Sequence, residues 1–173
     1  MNDLIKEITG ELACFTEEDL VKHLATLRAR RPTMTLNFPS THLEFEDYTQ
    51  KGFDLIESGG MKPTLSGEVV LDFVSVVKPG ESPVSGSVML GRAVELGGNP
   101  NQWDREIVLA NQSLIPVSLR EKWLVFPATK WRDRDSGREY VPIADWDDDC
   151  WIPRLALLGD GWRAGDFLLV PRK

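Results

Sequence analysis

The chain has 173 residues, 42% of them hydrophobic and 27% charged, with a net charge of −7. That length fits one domain, and it buries enough surface to need no disulfide or metal staple. The composition excludes a disordered polymer, no run approaches the ~18 apolar residues of a membrane span, and an acidic surface disfavours non-specific binding to nucleic acid. The start, Met1-Asn2-Asp3-Leu4-Ile5-Lys6-Glu7, lacks the basic and apolar regions of a leader. Cys14 and Cys150 are far apart in sequence, so the expectation is a reduced, cytoplasmic protein with two free thiols. Charge is uneven: residues 1–119 hold 17 acids and 10 bases, residues 120–173 hold 10 of each.

The first 31 residues read as helical. Leu4, Ile5, Ile8 and Leu12 form one short stripe. Thr16-Glu17-Glu18-Asp19 has the form of a helix start; Leu20, Leu24 and Leu27 follow on one face, Arg28, Arg30 and Arg31 suit the last turn, and Pro32 stops the helix.

After Pro32 the period changes to two. Met34, Leu36 and Phe38 alternate with threonines and Asn37; Leu43 and Phe45 repeat the pattern, and Phe53, Leu55 and Ile56 extend it after a turn at residues 50–52. Residues 68–77 give the strongest strand. Val69, Leu71, Phe73, Val74 and Val76 are expected in the core, with Asp72 and Ser75 on the wetter side. A turn over residues 78–83 then predicts a hairpin with a second long strand over residues 84–96, and residues 106–110 read as a further strand. Residues 124–126 and 139–143 are strands flanking the turn 133–137, with Pro142 assigning the later one to an edge or a bulge. Residues 154–158 and 167–170 are expected to pair as a last hairpin around the glycines 159, 161 and 165. The resulting expectation is a single α+β domain over residues 1–173. An N-terminal helical segment (1–31) packs on one side of a bent, mainly antiparallel sheet or open barrel (33–173) of about eight strands.

Motif chemistry is sparse. The glycines 159, 161 and 165 precede a strand rather than the helix a dinucleotide loop needs. Asp133, Asp135 and Gly137 miss the spacing of a calcium loop, and Cys14, Cys150, His23 and His42 lack zinc-ligand spacing. The sequence contains no serine-nucleophile elbow, phosphate loop or zinc-protease helix motif, and the reading assigns no cofactor, metal or catalytic residue.

Two clusters remain. Five of the six tryptophans, Trp123, Trp131, Trp146, Trp151 and Trp162, lie in the last third among arginines and lysines, a composition of protein-contact surfaces and of base-stacking platforms alike. Within it, Trp131, Arg132, Arg134, Arg138 and Tyr140 occupy one hairpin. Strand alternation sets Lys130 and Arg132 on the face opposite Trp131, which favours a core tryptophan with a basic outer face. Asp147, Asp148 and Asp149, with Asp145, form the densest acidic cluster, suited to a solvated loop, a basic partner or a hard cation. The leading expectation is a non-catalytic domain that binds another protein with a basic surface, such as an acidic inhibitor or immunity-type protein of a phage or bacterium. The alternatives are a nucleic-acid module built on the Trp/Arg hairpin, and an enzyme using His42 with Glu44 or the 145–149 loop.

Overall fold

A computed structural model describes Thr16, Val21 and residues 31–39, 45–60 and 63–172. The chain divides into two units, Met1–Arg31 and Pro32–Lys173. The leucine stripe expected over 20–27, the strand expected at Leu43, and Cys14, His23, His42 and Glu44 lie outside the described residues.

The second unit is mixed α and β. Its strands are β1 (Thr33–Phe38), β2 (Phe53–Glu57), β3 (Gly67–Ser75), β4 (Trp123–Val125), β5 (Lys130–Asp133), β6 (Glu139–Asp147), β7 (Cys150–Leu157) and β8 (Asp166–Pro171). Two helices, α1 (Gly86–Leu96) and α2 (Gln102–Ala110), fall between β3 and β4. All eight strands join one open sheet in the order β1-β3-β8-β4-β6-β5-β2, with β7 on the other side of β6. Every pairing is antiparallel except β4 with β8.

Alternation along the central strands divides their side chains between two cores. Leu71, Phe73, Leu124, Ala144 and Leu169 meet Ile107 and Val108 of α2, while Val125, Val141, Ile143 and Leu168 meet Met89 and Ala93 of α1. A strand covered on both faces reads as a continuous apolar run. This accounts for β3, where Leu71 and Phe73 are fully buried and Val69 and Val74 are half-buried. Asp72 is buried as well, contrary to the wetter side expected for it, and Arg172 pairs with it through Nε at 3.0 Å.

Three expectations are corrected. Within residues 84–96, Val84 makes only an isolated bridge to Trp162, and Gly86–Leu96 form a helix rather than the second arm of a hairpin. Ser85 caps it by accepting from Val88 N–H, Gly97 ends it in the left-handed region at φ 68°, and Gly86, Met89 and Ala93 are its buried face. Residues 106–110 belong to α2, whose start is a capping box between Asn101 and Asp104. Finally, β7 and β8 do not pair: β7 follows β6, and β8 inserts between β3 and β4.

Pro142 lies inside β6, which has neighbours on both sides, rather than at an edge. β4 pairs with the C-terminal half of β6 and β5 with its N-terminal half, out of register with each other. Phe126 N–H donates to the Pro142 carbonyl at 3.0 Å, so Pro142 lies opposite Phe126 just past the end of β4, and its missing N–H leaves that pair with one bond.

Candidate interaction surface

The predicted aromatic and basic hairpin is formed by β5 and β6. Trp131 is only 1% exposed, and its indole N–H donates to Gln102 Oε1 at 2.8 Å. Tyr140 is half-buried with its ring edge-on to Phe53 at 5.3 Å. Arg132 pairs with Glu139 at 2.9 Å and Arg134 with Asp54 at 2.8 Å. Arg138 is exposed on an open groove with Ser85, Ser87, Glu139 and Leu157. Trp131 points into the core while Arg132, Arg134 and Arg138 are exposed, and two of the three guanidiniums face carboxylates. Asp133 holds the turn: its carboxylate accepts from Ser136 N–H at 2.6 Å and Ser136 Oγ–H at 2.7 Å. The Ser136 amide bond, then its hydroxyl bond, lowers the Asp133 pKa from the ordinary value.

Gln102 belongs to a buried polar network that no sequence pattern marked. Its side-chain amide donates to the Glu46 carbonyl at 2.6 Å, and its backbone N–H donates to Thr129 Oγ1 at 2.9 Å. One turn on, Arg105 is fully buried. It donates to Tyr48 Oη at 3.1 Å and to the Arg154 carbonyl at 3.2 Å, and pairs with Glu106 at 2.6 Å. Tyr48 in turn donates to Glu46 Oε2 at 2.8 Å. Asp104 accepts from the backbone N–H groups of Asn101, Thr64 and Leu65 at 2.8, 3.3 and 3.3 Å, and from the Thr64 hydroxyl. Burial raises the Asp104 pKa despite these donors. Each of these polar groups is met by protein atoms, so the network fixes the segments around residues 46–48, 58–59 and 64–65 against α2 and acts as scaffold.

The acidic cluster occupies the opposite end of β6, in the tip joining it to β7. β6 has nine residues, so its ends are about 26 Å apart at ~3.3 Å per residue, and the two predicted clusters cannot form one site. Arg154 forks between Asp145 at 3.2 Å and Asp147 at 2.7 Å. Asp147, Asp148 and Asp149 are exposed, and Asp148 turns the tip in the left-handed region at φ 54°. Behind them Trp146 and Trp151 meet edge to face at 5.6 Å, and the Arg120 guanidinium lies over Trp146 at 4.5 Å.

The segment 112–120 is anchored to this tryptophan pair at both ends. Gln112 Oε1 accepts from Trp151 N–H at 2.9 Å, and Arg120 covers Trp146. Between the anchors Leu114 and Val117 are 52% and 66% exposed. Two short 3-10 turns, Gln112–Leu114 and Val117–Leu119, shape the segment. Isolated exposed apolar residues are unremarkable. Here two of them lie on a segment anchored to the tryptophan pair behind the acidic tip, and no periodic pattern in the sequence marks them.

Comparison with protein-family models, with curated proteins and with solved structures finds no match.

Proposed function

We propose that this chain is a non-catalytic protein-binding domain that presents the β6–β7 tip and the adjoining 112–120 segment to a partner with a basic surface. The observation carrying the reading is the conjunction of exposed Asp148 and Asp149 with exposed Leu114 and Val117 on a base fixed by the Trp146–Trp151 pair. Acidic side chains steer a basic partner and set its register, and apolar groups excluded from water on docking supply affinity. An acidic inhibitor of a nucleic-acid enzyme, of the phage or immunity type, is the role this chemistry suits.

The nucleic-acid reading loses support. Base stacking needs rings and cations on one exposed surface. Trp131 is buried, and Arg132 and Arg134 are already paired with carboxylates.

The test compares the wild-type chain with the Asp148→Asn/Asp149→Asn variant, both immobilised and exposed to lysate of the source cells. The expected result is a basic protein held by the wild type, released by salt and lost with the variant. Equal recovery on both would remove the tip from the reading. In parallel, a labelled single-stranded oligonucleotide is titrated at physiological salt, with no binding expected. Tight, salt-sensitive binding lost in the Arg132→Ala/Arg134→Ala/Arg138→Ala variant would replace the protein-binding reading with the nucleic-acid one.

A further inference from the structure

Among the described residues the sheet ends in three strands paired on one side only: β1, β2 and β7. An unpaired strand edge is a row of free N–H and C=O groups, and proteins that stay monomeric guard such edges with charge, proline, irregularity or cover. β2 is guarded by Asp54 and Glu57 and by a register shift between Leu55 and Glu57. β7 is guarded by Pro153, which has no N–H, and by Gln112, whose side chain occupies the N–H of Trp151.

Among the described residues β1 has none of these devices. It runs Thr33-Met34-Thr35-Leu36-Asn37-Phe38 without a charge, an internal proline or a register shift over its pairing with β3. The Phe73 N–H donates to the Pro32 carbonyl at 3.1 Å, and the pairs Met34 with Leu71, Leu36 with Val69 and Phe38 with Gly67 follow in step. Hydrogen-bonded and non-bonded pairs alternate along an antiparallel ladder. The even residues of β1 therefore bond to β3, and the N–H and C=O groups of Thr33, Thr35 and Asn37 point out along the edge. Thr35 and Asn37 are exposed.

We propose that two copies of this chain join edge to edge through β1, antiparallel, with the two-fold axis at Thr35. That register sets Thr35 of one copy opposite Thr35 of the other and Thr33 opposite Asn37. Each of these is a hydrogen-bonded pair made of residues whose polar groups already point outward. The same register sets Met34 opposite Leu36, so the buried face of one sheet continues into the buried face of the other. A shift by one residue would oppose Met34 to Asn37, mixing buried with exposed faces, and would aim bonded groups at unbonded ones. The edge is thus self-complementary in the way a two-fold interface requires. Within the paired residues Thr33–Asn37 it brings no charged side chain against the copy. The acidic tip takes no part, so the dimer stands or falls independently of the partner-binding reading.

Sedimentation equilibrium of the full chain tests this, with Thr35→Lys and Thr35→Pro as variants. The expected result is a wild-type species of twice 19.5 kDa. Thr35→Lys opposes two like charges across the axis, and its exposed side chain leaves the fold intact; Thr35→Pro removes an N–H that β3 does not use. Both are expected to sediment as monomers with a circular dichroism spectrum like that of the wild type. Amide exchange gives the site directly: Thr33 and Asn37 exchange slowly in the wild type and rapidly in Thr35→Lys. A wild type that stays monomeric up to its solubility limit overturns the proposal. So does a dimer that survives Thr35→Lys, whatever Thr35→Pro does to folding.

Discussion

The indole N–H of Trp131 and the Oε1 of Gln102 are 2.8 Å apart, and both residues are shut off from water. The bond joins the β5–β6 hairpin to the first turn of α2. It turns the ring that sequence composition offered as a contact surface into part of the interior.

Two substitutions separate the bond from the burial. Trp131→Ala removes a fully buried ring and is expected to cost about 3–5 kcal/mol. Trp131→Phe keeps most of the apolar volume but leaves Gln102 Oε1 buried without this donor, which costs about 1–3 kcal/mol. Urea denaturation of the three proteins measures both. A Trp131→Phe variant as stable as the wild type would show that solvent reaches Gln102.

α1 offers an internal control on backbone fit. On propensity alone, alanine in place of glycine stabilises a helix interior by about 0.5–1 kcal/mol. Gly91→Ala should do so, because a Cβ there meets nothing within 4 Å. Gly86→Ala should do the reverse. Its Cβ would lie 2.1 Å from the Leu158 carbonyl oxygen, a backbone atom that cannot step aside alone. The expected loss is about 2 kcal/mol or more, of the kind that overpacking produces. Thermal denaturation of the two variants should shift the midpoint in opposite directions, and a stabilised Gly86→Ala would mean that the Leu158 carbonyl does not lie against the start of α1.

The same helix shows where sequence reading succeeds and fails. β1 and the β5–β6 hairpin were legible because their signals are local: Pro32 before a clean alternation, and a polar turn ending in Gly137 at φ 67° between two strands. Trp131 facing inward while Arg132 faces outward follows from the same alternation. Residues 84–96 were misread because Val84, Val88 and Val94 suggest a strand, yet Val88 and Val94 lie on the outer face of a helix that packs through Gly86, Met89 and Ala93. The usable signals were the caps, Ser85 with Gly97 and Asn101 with Asp104. β7 and β8 looked like neighbours because they are consecutive, but β8 has its partners in β3 and β4, a choice made by distant packing. The exposed surface at Leu114 and Val117 depends on Gln112 and Arg120 finding the Trp146–Trp151 pair, and no spacing rule predicts that.

Tyr48 gives the polar network a signature at alkaline pH. Burial pushes its pKa from 10.0 to about 12, aided by the bond to Glu46 and that residue's charge, while the charge and hydrogen bond of Arg105 act in the opposite direction. The folded protein therefore keeps a proton that the unfolded chain releases near 10. Stability from this group is fully present below pH 10, falls as pH rises from 10 to 12, and is lost above 12. Tyr48→Phe removes the titration and, at neutral pH, also the hydrogen bonds to Glu46 and Arg105, at a cost of about 1–2 kcal/mol. Lysines titrate in the same range, so the informative quantity is the difference between the two proteins. Their denaturation midpoints should converge as pH rises through 10 to 12, and the near-ultraviolet phenolate absorbance of the wild type should include a component rising near 12 that the variant lacks. Midpoints that run parallel over that interval would place Tyr48 in contact with water and separate it from the Arg105 network.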